Sequence, residues 1–98
     1  MKEIKIAAYT GTFAENKDTA RDLRRDEIAP ALEKGENVAL DFAGVEAATQ
    51  SFIHALISDL LRKRGSAILD RIEFKSCNDT VRKIITIVAD YMQEGAGS

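Results

Sequence analysis

The sequence predicts an α/β domain with its elements in the order β-α-β-α-β-α. Three observations carry that reading: apolar alternation at Ile4, Ile6 and Ala8, a nearly unbroken apolar run over 38–42, and three later stretches with helical apolar spacing. Strands alternating with helices favour parallel neighbours joined by right-handed crossovers.

Each element has its own local cause. Ile4, Ile6 and Ala8 alternate with Lys5 and Ala7, as in a strand with one wetter face near a sheet edge, and Gly11 follows as a turn residue. From Asp18 the period lengthens, with Ala20, Leu23, Ile28, Ala31 and Leu32 on one helical face. Pro30 lacks an amide hydrogen and crowds the preceding turn, so a break or kink is expected between Arg24 and Glu27, with Asp26 capping a second segment. Lys34-Gly35 supplies the stop.

Val38, Ala39, Leu40 and Phe42 leave only Asp41 polar and mark the most buried strand. Over 51–64, Phe52, Ile53, Leu56, Ile57, Leu60 and Leu61 form one stripe, with His54, Ser58, Asp59 and Arg62 on the other side. Arg62-Lys63-Arg64-Gly65 ends that helix with cations and a glycine. Ile68, Ile72 and Phe74, interleaved with Arg71, Glu73 and Lys75, predict a half-exposed strand. Asn78 or Asp79 then caps a last helix with the stripe Val81, Ile84, Ile85, Val88, Tyr91 and Met92.

Composition bounds the function. Ninety-eight residues make one domain, expected over 1–94 with a loose tail at 95–98. Fourteen basic against sixteen acidic residues give a net charge of −2, which provides no field for nucleic acid or anionic membrane. No apolar stretch approaches the roughly 20 residues of a membrane span, and residues 1–5 lack the apolar block of a signal peptide. One cysteine, Cys77, and one histidine, His54, supply too few ligands for a zinc site. These features predict a cytoplasmic protein without metal or cofactor.

The enzyme readings are thin. Gly11 stands outside any phosphate-binding glycine motif, and His54 and Cys77 fall on different elements, so no catalytic residue is assigned. Among Arg21, Arg24 and Arg25, Arg21 and Arg25 share a helix face and with Lys17 could hold a phosphate or an acidic partner, or a small anion or nucleotide beside a helix N-terminus, though Asp18, Asp22 and Asp26 are interspersed. Thr49 and Ser51 stand where a helix begins, the backbone location that best tolerates added negative charge. Capping accounts for such hydroxyls; so does a surface switch, in which a phosphate costs little locally and much at a docked interface.

The segment Leu40-Asp41-Phe42-Ala43-Gly44-Val45, leading to Thr49-Gln50-Ser51-Phe52 and a Leu/Ile-rich helix, resembles the STAS-like family of unassigned function. The resemblance extends through Thr19-Ala20-Arg21, Ile72-Glu73-Phe74 and Val81-Arg82-Lys83-Ile84-Ile85. That family is similar to STAS domains, the fold of anti-sigma factor antagonists and of sulfate-transporter cytoplasmic tails. It implies a single layer of mixed sheet, about four strands, packed by about three helices.

In anti-sigma factor antagonists the second motif reads Asp-Ser-Ser-Gly-Leu, and one of its serines is phosphorylated by a kinase that doubles as the anti-sigma factor. Laid over this chain, the second serine of that pair falls on Ser51 and the first on Gln50; Thr49 stands in place of aspartate and Phe52 in place of glycine. The resemblance implies a bacterial, non-enzymatic regulatory module with a histidine-kinase-like ATPase as partner. Its docking residues would be Glu46, Gln50, Ser51, His54 and Ser58, and its phospho-acceptor Ser51 or, second, Thr49.

Overall fold

The computed structural model describes residues 1–97. Along the chain run β1 (Lys2–Lys5), a single helical turn α1 (Ala7–Thr10), β2 (Phe13–Ala14) and α2 (Lys17–Leu23). A π-helical segment (Arg24–Ile28) leads into α3 (Ala29–Glu33), followed by β3 (Val38–Asp41), β4 (Ala47–Ala48) and α4 (Gln50–Arg64). A 3-10 segment (Ser66–Arg71), β5 (Ile72–Lys75) and α5 (Asp79–Gly97) complete it.

The main sheet has the order β1-β3-β5 and is parallel throughout, with Ile4, Leu40 and Phe74 in one register row. The run over 38–42 takes the central position because Val38, Ala39, Leu40 and Phe42 are fully buried. β1 lies at an edge, as its wetter face predicts. The remaining pair, β2 with β4, forms a separate two-residue parallel ladder. The mixed single sheet of about four strands is therefore corrected to two parallel sheets. Segments as short as β2 and β4 carry no readable period.

Helix α4 is central to the helical layer, packed against both α2 and α5. Its stripe Phe52, Ile53, Leu56, Ile57, Leu60 and Leu61 is buried as expected. Each such side chain contributes about 1.5–3 kcal/mol of transfer free energy. The helix ends at Gly65, whose φ of 78° suits a residue without Cβ.

Several local expectations change. The first strand stops at Lys5, and Ala7 and Ala8 enter the turn of α1. No break separates α2 from α3: the helix widens to a π turn, in which the Ala29 amide donates to the Arg24 carbonyl, and Pro30 sits in the first turn of α3. One extra residue in that turn accommodates the proline where a regular helix would lose a bond and clash. Asp26 caps nothing and accepts from Arg25 Nε at 3.0 Å. Ile68 belongs to the 3-10 segment, and Tyr91, expected in the buried stripe, is 67% exposed. The tail expected at 95–98 coincides with the end of α5 as far as Gly97; Ser98 lies outside the described residues.

Candidate functional site

The elbow between β4 and α4 is tied down through its backbone. The Glu46 amide donates to the Thr12 carbonyl at 2.7 Å, and the Thr49 amide donates to the Ala14 carbonyl at 3.0 Å. From the other side Asn78 Nδ2 donates to the Glu46 carbonyl at 2.9 Å. A loop held on both flanks presents its side chains in a fixed direction.

The two hydroxyls of the elbow have different roles. Thr49 is extended (φ −88°, ψ 158°), and its Oγ1 accepts from the Phe52 amide at 3.1 Å, so Thr49 is the N-cap of α4. The helix begins at Gln50, one residue before the expected start, which places Ser51 at its second position. Ser51 is exposed and makes none of the cap bonds. Capping thus occupies Thr49 and leaves Ser51 open.

Ser51 lies on the rim of a groove of about 470 Å³ lined by Lys17, Gln50, His54, Ile87, Val88 and Tyr91 among others. Gln50 and Ser51 come from the first turn of α4 and His54 from the next, Ile87, Val88 and Tyr91 come from α5, and Lys17 stands at the start of α2. Ile87 and Tyr91 are 44% and 67% exposed, an apolar wall facing solvent. The groove combines that wall, one lysine and the amide-rich end of α4.

Of the five expected docking residues, the structure brings Gln50, Ser51 and His54 together. Glu46 is exposed on the neighbouring loop and outside the groove lining. Ser58 is corrected: it is 4% exposed, the one buried polar residue among the described residues. Packing on two sides widens the buried arc of α4 beyond its apolar stripe. Lys17 and the α5 wall were not singled out as part of this site, and the exposed Ile87 and Tyr91 are its signal.

Arg21 and Arg25 fit an anion poorly. Arg21 lies 3.3 Å from Asp18 and 3.8 Å from Asp22; Arg25 lies 3.2 Å from Asp22 and 3.0 Å from Asp26. Asp26, by hydrogen bond and charge, and then Asp22 hold the Arg25 guanidinium further toward its charged form. Their charge is spent locally. Arg24 instead turns inward, its Nη1 donating to the Ala55 carbonyl at 2.9 Å and its Nη2 lying 3.6 Å from Asp59.

Cys77 is half-buried after β5, its Sγ 3.8 Å from the Lys75 carbonyl. Burial pushes its thiol above the ordinary range, Asp41 adds to this and Arg82 opposes it. A raised thiol is a weak nucleophile at neutral pH. Among the described residues no group of three His, Cys, Asp or Glu could hold a metal ion, and no helix is long and apolar enough to cross a membrane.

Searches among curated proteins and among solved structures give no match. A family model described as a STAS-like domain of unknown function (DUF4325) matches residues 20–82, from the buried Ala20 of α2 through β3, the elbow and all of α4 to Arg82 of α5. That span is more than half of the chain, and it includes Gln50, Ser51 and His54 while leaving Lys17, Ile87, Val88 and Tyr91 outside. The chain therefore belongs to the STAS-like domain family of unknown function.

Proposed function

We propose that this domain is a non-enzymatic regulatory module that docks a protein partner in the groove between α4 and α5. The observation that carries the reading is the division of labour at the elbow: Thr49 caps the helix, while Ser51 stands exposed on the groove rim. Gln50 and His54 supply polar contacts, and Ile87 and Tyr91 supply apolar area that a partner would cover. The likeness of the Asp41–Ser51 region to anti-sigma factor antagonists supports a histidine-kinase-like ATPase of the anti-sigma type as that partner, in the cytoplasm.

Phosphorylation at Ser51 is the proposed switch. A phosphoserine adds about 1.5–2 negative charges. At the second position of α4 that charge meets the positive end of the helix, and Lys17 lines the same groove. Its local cost is small, whereas a docked apolar surface would have to bury it. The departures at Thr49 and Phe52 alter what a kinase would meet on either side of the acceptor.

The test mixes the purified domain with an ATPase encoded beside it, with and without ATP. Complex formation is read by calorimetry and phosphate is mapped by mass spectrometry. The reading expects S51D and Y91A to weaken binding at least tenfold, S51A to bind normally but resist modification, and modification to dissolve the complex. An active ATPase that neither binds nor modifies the domain overturns it.

A further inference from the structure

The main sheet has two faces of opposite character. Lys2, Ile4, Val38, Leu40, Ile72 and Phe74 share the core side, where Lys2 reaches Glu27 of the π segment at 3.2 Å. Side chains alternate along a strand, so the other face carries two rows. Glu3, Ala39 and Glu73 form one row; Lys5, Asp41 and Lys75 form the next. Glu3, Lys5 and Glu73 are exposed, and Asp41 and Lys75 are half-buried. Ala39 is fully buried although it lies on this face, and the Glu3 carboxylate reaches across β3 to within 3.9 Å of the Lys75 ammonium. Parallel sheets are ordinarily covered on both faces. Here one face is left charged and accessible.

We propose that this face associates with a second copy of the chain about a two-fold axis that runs across the strands, between the two charged rows. In that arrangement the strands of the copies run antiparallel. Glu3 of each copy lies over Lys5 of the other, and Glu73 of each over Lys75 of the other, which makes four opposite-charge pairs. An axis along the strands would instead set each row against its own kind and repel. A two-fold interface must be self-complementary, and only the first orientation makes this pattern so. Stacked sheets lie about 10 Å apart, a gap that a lysine and a glutamate side chain span together. Asp41 meets Ala39 of the second copy and keeps Lys5 and Lys75 as its register neighbours.

The size of the face sets the strength. Three strands spaced about 4.8 Å, each of four residues rising about 3.3 Å, cover about 190 Å². A stable interface buries about 800 Å² per partner. The dimer is accordingly weak, and because charges build it, salt screens it. It shares no residue with the groove between α4 and α5, so it stands or falls independently of the docking proposal.

Sedimentation equilibrium of the full chain at high concentration tests it, at about 20 mM and about 500 mM salt. The weight-average mass should rise above the monomer at low salt and return to it at high salt. E3K and K5E should each weaken self-association at least tenfold, because each sets like charges together on β1. An equimolar mixture of the two variants should restore it, as should the double variant E3K/K5E. Recovery in the mixture also shows that both single variants fold. A monomer at low salt, association indifferent to salt, or E3K and K5E that fail to complement would overturn the proposal; salt-indifferent association would point to pairing at the open edges of β1 or β5.

Discussion

Asn78 joins the start of α5 to the elbow before α4: its Nδ2 donates to the Glu46 carbonyl at 2.9 Å, while its Oδ1 accepts from the Val81 amide at 2.8 Å. One amide side chain thus caps a helix and pins a loop 32 residues away in sequence. Both ends of an amide are needed, since a carboxylate accepts only.

Substitution separates the two roles. N78A should lower stability by about 1–2 kcal/mol, the cost of a lost cap plus a freed carbonyl. N78D should keep the cap, lose the loop bond, and set a carboxylate beside the Glu46 carbonyl. Hydrogen exchange is the check. With N78D, amides of residues 45–49 should exchange faster while those of α5 stay protected; equal loosening of both would show that Asn78 acts through the helix alone.

Thr49 and Ser51 should behave oppositely in urea denaturation. T49A removes the acceptor for the Phe52 amide and should cost about 1 kcal/mol. S51A removes an exposed hydroxyl outside the cap and should fall within about 0.5 kcal/mol of the parent protein. The reverse ranking would place the cap on Ser51 and take away the open hydroxyl on which the switch depends.

Much of this fold is legible from pattern. The run over 38–42 announces the central strand, and six apolar residues at helical spacing announce α4, because burial there is dense enough to dominate the sequence. What escapes has a physical reason in each case. β2 and β4 are two residues each, too short for any period. Ser58 looks polar but is small enough to sit inside the wide contact arc of α4. Tyr91 continues the apolar stripe of α5 and yet is exposed, and the groove it walls is built from residues separated by more than 30 positions. The hydroxyl at the helix start is visible in the sequence, whereas the choice between Thr49 and Ser51 as cap is settled only by backbone geometry.

Arg24 should matter where its neighbour Arg25 does not. Arg24 joins the π segment to α4 through the Ala55 carbonyl and Asp59, and its side chain is only 19% exposed. Hydrogen bonds made by charged groups contribute about 1.5–3 kcal/mol. R24A should destabilise near the lower end of that range, since Asp59 keeps Arg62 at 3.3 Å and Lys63 at 4.0 Å. R25A removes an exposed guanidinium paired only with the exposed Asp22 and Asp26 and should change thermal stability little. Calorimetric melting of the two variants side by side decides it; equal losses would mean that Arg24 contributes no more than a surface ion pair.

Cys77 sets a pH dependence that can be read at one atom. Burial is the largest influence on its thiol and favours the neutral form, with Asp41 acting in the same direction against Arg82. Free thiols titrate at about 8.5, so Cys77 in the folded protein should react with an aromatic disulfide more slowly than an unfolded control at pH 8. Its rate should still be climbing where the control has levelled off. The folded protein holds this proton more tightly than the unfolded chain. The stability it provides is therefore complete below the unfolded thiol value and lost as pH rises through the folded one. C77A should remove that alkaline loss and leave the acid side of the profile unchanged. R82A should push the thiol higher and slow the reaction further, because it removes the one charge that favours the thiolate. A Cys77 that reacts as fast as the unfolded control would contradict the burial and leave the thiol open to redox chemistry.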